Sequence, residues 1–266
     1  MKFSNLHTHT TYSDGKGTVR ENIESAIKKN MISLGFSDHS FTPCDTSYCM
    51  KLEDYGKYCA EVKALASEYK SQIPVFLGIE KDYYSEIDRS MFDYVIASVH
   101  YVVDGNDCYA IDHTAKDQID CRDNVFGGNM LDFVKRYYEM VIEQAAACKP
   151  DVIGHFDVIE KFSIMPEEND EYIRITEEAL KETFKHCKRF EVNTGGISRG
   201  WRKTPYPAFH LLKLLRELGG EIVINSDSHH PDNLDFFFPE SAEIIKKAGF
   251  ETYSVLTSNG FEKILL

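Results

Sequence analysis

Six of the ten histidines occupy one kind of position, just past a short apolar run. His7 and His9 close the run Lys2–Leu6, and Asp38-His39 follow Ile32–Phe36. Glu80 follows Val75–Ile79, His100 follows Tyr94–Ser98, and His155 follows Val152–Gly154. Asp227 and His229 follow Glu221–Ile224. In His7-Thr8-His9 the i, i+2 spacing puts both imidazoles on one side of an extended strand, and Asp227-Ser228-His229 repeats that spacing. Imidazoles mixed with carboxylates suit Zn²⁺, Mn²⁺ or Fe²⁺; without thiolates, a soft-metal or iron–sulfur site is disfavoured. A lone histidine at a strand end is ordinarily a hydrogen-bonded structural residue. Recurrence at the same kind of place points instead to one shared site. His113, His186, His210 and His230 break the pattern and are read as structural or surface residues.

Such residues meet only if the elements carrying them converge. The apolar runs, with two more at Phe190–Val192 and Glu251–Val255, alternate with amphipathic segments. Thr18-Val19-Arg20-Glu21 has the form of a capping box and opens a helix ending near Asn30. Tyr55, Tyr58, Cys59, Val62, Ala66 and Tyr69 fall at helical spacing. Further helical patterns cover Leu131–Cys148, Glu168–Lys188, Tyr206–Leu218 and Ser241–Ala248, with Gly219-Gly220 and Gly249 as stops. This repetition argues a parallel sheet, open or closed into a barrel, whose strand ends and following loops share one face. Residues 101–130 interrupt the rhythm, with a turn signal at Asp104-Gly105 and a glycine-bearing tail at Gly127-Gly128. They read as a loop insertion over the site.

The bulk composition narrows the partners. The 266 residues carry a formal net charge of -13, from 30 basic and 43 acidic side chains. An acidic chain with only isolated basic pairs, such as Lys28-Lys29, Lys188-Arg189 and Lys246-Lys247, repels nucleic acid. No apolar stretch approaches the roughly 20 residues of a membrane span. The start of the chain lacks a signal peptide's apolar run. Seven cysteines without a C-x-x-C pair read as reduced thiols, so a cytoplasmic enzyme is expected.

Seven segments together resemble the PHP (polymerase and histidinol phosphatase) phosphoesterases. They are Leu6-His7-Thr8-His9-Thr10-Thr11-Tyr12-Ser13-Asp14-Gly15, Phe36-Ser37-Asp38-His39, Gly78-Ile79-Glu80, Ala97-Ser98-Val99-His100, Ile153-Gly154-His155-Phe156-Asp157, Glu191-Val192-Asn193 and Ser226-Asp227-Ser228-His229, in the family's order. The resemblance implies a distorted TIM-like (β/α)7 barrel, one domain over 1–266 with 101–130 inserted at its C-terminal face. It implies two to three divalent transition-metal ions, Zn, Mn or Fe. One would take His7, His9, Glu80 and Asp227. A second would take Glu80, His100 and His155, with Glu80 bridging. A third would take Asp14, His39 and His229. Some relatives carry His where Asp14 stands, and Ser13-Asp14-Gly15 is also an ordinary turn.

A free-standing chain of this length resembles the histidinol-phosphatase branch. The implied reaction is hydrolysis of L-histidinol phosphate to L-histidinol and phosphate, by attack of a metal-activated hydroxide. Asp227, His229 or a water on the third metal is a candidate proton donor to the leaving group. Lys161 and Arg199 are candidate phosphate clamps, with Arg202 and Lys203 as neighbours, and Gly195-Gly196 allow close backbone approach to an anion. Asp157, Glu160, Asp104, Asp107 and Tyr109 are candidate partners for the amine and imidazole. The alternatives are another small-molecule phosphomonoesterase, a phosphodiesterase or exonuclease of the same family, or a metal or nucleotide sensor on the same barrel.

Overall fold

The computed structural model describes residues 2–164 and 169–266. Its strands are β1 (Leu34–Phe36), β2 (Val75–Asp82), β3 (Tyr94–Ser98), β4 (Tyr101–Asp104), β5 (Asp107–Ala110), β6 (Val152–Ile153), β7 (Arg189–Asn193), β8 (Glu221–Asn225), β9 (Thr252–Thr257) and β10 (Gly260–Leu265). Its helices are α1 (Val19–Lys28), α2 (Tyr55–Tyr69), α3 (Ala115–Val125), α4 (Met130–Cys148), α5 (Asp170–Phe184), α6 (Gly195–Ser198), α7 (Phe209–Glu217) and α8 (Phe238–Lys247). Six strands form one sheet in the order β1-β2-β3-β6-β7-β8, every pair parallel. The sheet curls into the wall of a distorted TIM-like barrel.

The ring closes through the N-terminal segment. Asn5 bridges Leu34 beside β1, and Thr8 bridges Ser228 beyond β8, both in parallel. The strand expected at Lys2–Leu6 therefore holds one isolated bridge, at Asn5, rather than a ladder, and the second bridge lies beyond it at Thr8. Side-chain amides take over part of the pairing: the Leu6 N–H donates to Asn225 Oδ1 (2.9 Å), and Asn5 Nδ2 donates to Ser226 Oγ (2.8 Å).

Alternation along the strands sorts the core into two clusters. Tyr94 and Ile96 of β3, Val152 of β6 and Val223 of β8 point inward with Leu6 and Leu256. Val95, Ile153, Ile222 and Ile224 face the surrounding helices. Tyr94 plugs the interior, its hydroxyl donating to the carbonyls of Leu6 (2.5 Å) and Phe36 (2.9 Å). With one end filled this way, the polar side chains collect at the other.

The helices follow local signals. Both halves of the Thr18/Glu21 capping box form at α1. Gly219 and Gly249 stop their helices at φ +76° and +97°. Tyr206 bridges Asn193, so α7 begins only at Phe209. Of the pattern expected over Glu168–Lys188, Glu168 lies outside the described residues, and α5 is capped by the Asn169 side chain.

Three expectations need correction. Residues 101–130, expected as a loop insertion, hold the hairpin β4–β5, turning at Gly105 (φ +58°), and helix α3. The run Glu251–Val255 overlaps β9 from Thr252 onward, and β9 pairs antiparallel with β10 outside the barrel sheet. Cys44 and Cys108 form a disulfide joining the loop after β1 to β5, with Cα atoms 5.5 Å apart, so these two are not reduced thiols. No local spacing reveals this pair, because 64 residues separate them and only the approach of two loops brings them together. The other five cysteines are free. Among the described residues, no helix is long and apolar enough to cross a membrane.

Candidate metal centre

β2 runs past its apolar stretch, so Glu80 and Asp82 share its inward face. Glu80 is the hub of the site. Its Oε2 lies 2.8 Å from His39 Nδ1, 3.3 Å from His7 Nε2 and 3.7 Å from His9 Nε2. Its Oε1 lies 3.0 Å from His155 Nε2 and 3.4 Å from His100 Nε2. Asp227 closes the other side, with Oδ1 3.2 Å from His9 Nε2, 3.8 Å from His7 Nε2 and 3.5 Å from His229 Nδ1. Asp14 completes the set, Oδ2 lying 3.2 Å from His229 Nε2 and Oδ1 3.8 Å from His39 Nε2.

The loops aim these groups. Asp38 stays outside the cluster and shapes it: it accepts from the Thr10 N–H (2.7 Å) and the Ser13 hydroxyl (2.6 Å), which sets the turn into Asp14. The turn needs Gly15, where a Cβ would sit 2.4 Å from the His9 carbonyl oxygen. Asp227 has a left-handed backbone, φ +49°, a conformation that Asp tolerates better than most residues.

Charge is the organising quantity. Burial disfavours ionised Glu80, but His7, His39 and His100 outweigh it and hold the carboxyl well below its ordinary range. Burial also disfavours a charged His7, yet Glu191, Glu80 and Asp227 outweigh it and push that imidazole well above its ordinary value. Positive charge is thus favoured among these carboxylates. His9 goes the other way, to about 3, through burial and then the neighbouring His229 and His39, so it is a neutral imidazole with one lone pair to offer.

The donor set fits divalent cations. Three overlapping groups bring ligand atoms within 4.8 Å of one another: His9, Asp14, His39 and His229; His7, His9 and Glu80; His39, Glu80 and His100. Several of these atoms are buried with no hydrogen-bond partner, namely His7 Nε2, both ring nitrogens of His9, Asp14 Oδ1 and Glu80 Oε2. Leaving a buried polar atom unpartnered costs about 1–3 kcal/mol, and a shared cation satisfies several at once.

The family model of the PHP domain matches residues 5–195, well over half the chain. The chain belongs to the PHP family. A protein of Deinococcus radiodurans named "Probable histidinol-phosphatase" is 30% identical over 94% of each chain. A solved structure from Listeria monocytogenes superimposes with TM-score 0.73 at 19% identity, covering 89% of this chain and 99% of that one. The histidinol phosphate phosphatase of Lactococcus lactis subsp. lactis, solved with zinc, L-histidinol and phosphate, superimposes with TM-score 0.68 at 21% identity, covering 98% and 99%.

In this PHP barrel the cluster floors a cavity of about 600 Å³. Its rim comes from the loop after β1 (Asp45, Ser47, Tyr48) and from the insertion (Tyr101, Ala110, Asp112, His113, Asp117). The Cys44–Cys108 bridge joins these two parts. Lys161 is buried, not solvated; its ammonium donates to the Asp112 backbone carbonyl and lies 3.3 Å from Asp112 Oδ2. Arg199 Nη2 donates to Asp227 Oδ2 at 2.7 Å. Gly195 makes room for this pair, since a Cβ there would come within 2.7 Å of both groups. Arg202 turns away, donating to the Glu160 carbonyl.

The expected amine and imidazole partners are mostly elsewhere. Asp157 is buried and accepts from the Ala208 N–H (2.8 Å). Asp104 and Asp107 are exposed at the hairpin tip, and Tyr109 lies off the cavity lining. Of the four remaining histidines, His186 is exposed, His210 meets Thr176 and His230 caps Asp232, as expected of structural or surface residues. His113 is exposed but also lines the rim. Sequence reasoning missed Asp112, Tyr48 and Asp82. Asp82 was within reach, since it lies two residues beyond Glu80 on the same strand face.

Proposed function

We propose that this PHP protein hydrolyses L-histidinol phosphate to L-histidinol and inorganic phosphate. The observation carrying the proposal is a nine-residue histidine–carboxylate cluster flooring a cavity with an acidic, aromatic rim, in a chain 30% identical along 94% of its length to the Deinococcus relative. In the proposed site His7, His9, Glu80 and Asp227 hold one cation, and Glu80, His100 and His155 hold a second. Asp14, His39 and His229 hold a third. Bound divalent cations supply positive charge for the phosphoryl oxygens and lower the pKa of a water.

The chain's own groups do the rest. Asp227 is buried, which disfavours its charge, but Arg199 and His7 outweigh burial and keep it ionised. Ionised in this way, it offers its oxygens as a cation ligand and as a hydrogen-bond acceptor that orients the attacking water. His229 is the most exposed imidazole of the nine, at 25%, and when it is not holding the third cation it is the proposed proton donor to the leaving alkoxide. Arg199 stands beside Asp227 with further N–H groups to grip phosphate. Asp45, Asp112 and Asp117 favour a substrate bearing a cationic amine, while Tyr48 and Tyr101 offer faces for an imidazole. A net charge of -13 disfavours nucleic acid as substrate. The same proposal takes 1–266 as one domain with 101–130 inserted, and the cytoplasm as its location, which the five free thiols favour and the Cys44–Cys108 disulfide opposes.

The test compares kcat/KM for histidinol phosphate, other phosphate monoesters, p-nitrophenyl phosphate and single-stranded DNA under one metal and salt condition. Histidinol phosphate is expected to lead. Equal efficiency on unrelated monoesters, or faster cleavage of DNA, overturns the substrate assignment.

A further inference from the structure

Glu191-Val192-Asn193 matches the family yet contributes none of the nine cluster residues. Glu191 stands on the inward face of β7, fully buried. Three fixed donors converge on its carboxylate: the His155 backbone N–H (2.7 Å), Asn193 Nδ2 (2.6 Å) and Asn225 Nδ2 (2.9 Å). The fourth contact is His7 Nδ1, 2.9 Å from Oε2 and 3.2 Å from Oε1. A carboxylate receiving three fixed N–H donors is stabilised in its ionised, acceptor-only form. His7 Nδ1 must then be the protonated nitrogen. When His7 holds a cation, its lone pair is then on Nε2, the atom without a hydrogen-bond partner that faces Glu80 Oε2 at 3.3 Å.

His100 has a weaker version of this arrangement, its Nδ1 lying 3.3 Å from Asp82 Oδ2. His9 Nδ1 and His155 Nδ1 have no such partner. Among the cluster's imidazoles, His7 alone is backed by a carboxylate at both oxygens, and the same carboxylate fixes the backbone at His155. Asn225 ties the network to ring closure: its Nδ2 serves Glu191 while its Oδ1 accepts from the Leu6 N–H.

We propose that Glu191 is the positioning residue of the metal centre, holding His7 in the Nδ1–H form and thereby setting how tightly the cation at His7 is bound. The proposal rests on the metal reading above. Ionised outer partners make a ligating imidazole more basic and fix its orientation, and losing one typically costs about 10- to 100-fold in metal affinity. In Glu191→Gln the amide NH₂ must face Asn225 Nδ2 or the His155 N–H, donor against donor. Neither asparagine is free to flip, because Asn193 Oδ1 and Asn225 Oδ1 already accept from Gly195 N–H and Leu6 N–H.

The experiment is zinc binding to metal-free protein by chelator competition, with far-UV circular dichroism and melting of the metal-free form measured alongside. Glu191→Gln should keep its fold and bind one zinc equivalent about 10- to 100-fold more weakly. Glu191→Asp, which keeps the charge with a shorter reach, should fall between it and wild type. Nitrogen-15 NMR of histidine-labelled, zinc-loaded wild type should show His7 protonated at Nδ1, a readout that needs no variant to fold. Unchanged zinc affinity in a folded Glu191→Gln, or a His7 without an Nδ1 proton, overturns the positioning role alone. Wild-type protein that binds no zinc overturns the metal reading and this proposal with it.

Discussion

The floor of the cavity and its rim are built in different ways. Floor residues stand at strand ends of a closed ring, and His7, His9 and Glu80 are almost fully buried. Each is held by several neighbours at once; Glu80 alone meets five imidazoles. Rim residues stand on two connecting segments joined by the Cys44–Cys108 disulfide, and Lys161, from the loop after β6, contacts Asp112 on one of them. A preorganised, buried floor can stabilise charge during a reaction without rearranging. A rim of loops can change its side chains without disturbing that chemistry. The two regions should therefore fail differently: the floor in chemistry and metal retention, the rim in substrate preference.

The largest effect should come from the floor. Stripping the metals with a chelator, or replacing Glu80 with Ala, should reduce phosphatase activity roughly a thousand-fold or more, since charge neutralisation by the cations is worth several kcal/mol. Metal analysis should find more than one transition-metal equivalent in wild type and fewer in Glu80→Ala. Full activity in metal-free protein would falsify the division between the regions at its root.

Arg199 lies where the regions meet, reaching from α6's C-terminal end to Asp227. Arg199→Ala should lower kcat/KM about 10- to 100-fold, from loss of a charge-assisted contact worth roughly 1.5–3 kcal/mol. A rise in KM alone assigns it to ground-state binding, whereas an equal fall in kcat places it on the transition state. Unaltered kinetics in a folded variant would give the clamp to Lys161.

Within the rim, Asp112→Asn should separate two substrates. KM for histidinol phosphate should rise a few-fold as an anionic partner is lost, whereas KM for p-nitrophenyl phosphate should stay level or fall as Lys161 is released toward phosphate. A parallel change for both substrates would remove Asp112 from amine recognition. The same residue carries a pH signature. Burial raises its pKa, but Lys161 and then His100 outweigh burial and bring it down from 3.8 to about 2. A depressed carboxyl stabilises the fold above its unfolded pKa and loses that contribution as pH falls through the folded value. Melting temperatures of metal-free wild type and Asp112→Asn should accordingly differ at neutral pH and converge as pH drops from about 4 toward 2.

The smallest effect should be at the hairpin tip. Asp104 and Asp107 are exposed and off the cavity lining, so replacing both with Asn should leave kcat/KM for histidinol phosphate within about twofold. A larger loss would extend the recognition surface beyond the present rim.

The sequence by itself determined the floor. A parallel strand presents alternate side chains inward, and its C-terminal end opens on the shared face. Spacing such as His7-Thr8-His9 or Asp227-Ser228-His229 is therefore already a geometric statement, and all nine expected residues converge. The helices were legible for the same reason, because capping boxes, glycine stops and 3.6-residue periodicity act over a few residues. Tertiary structure alone decided what depends on segments far apart in the chain. Ring closure through Asn5 and Asn225, the Cys44–Cys108 bridge, the burial of Lys161 against Asp112, and Glu191 behind His7 join partners 34 or more residues apart, three of the pairs by more than 180. No local period encodes such a pairing, since it exists only once the strands have curled and the loops after them have met.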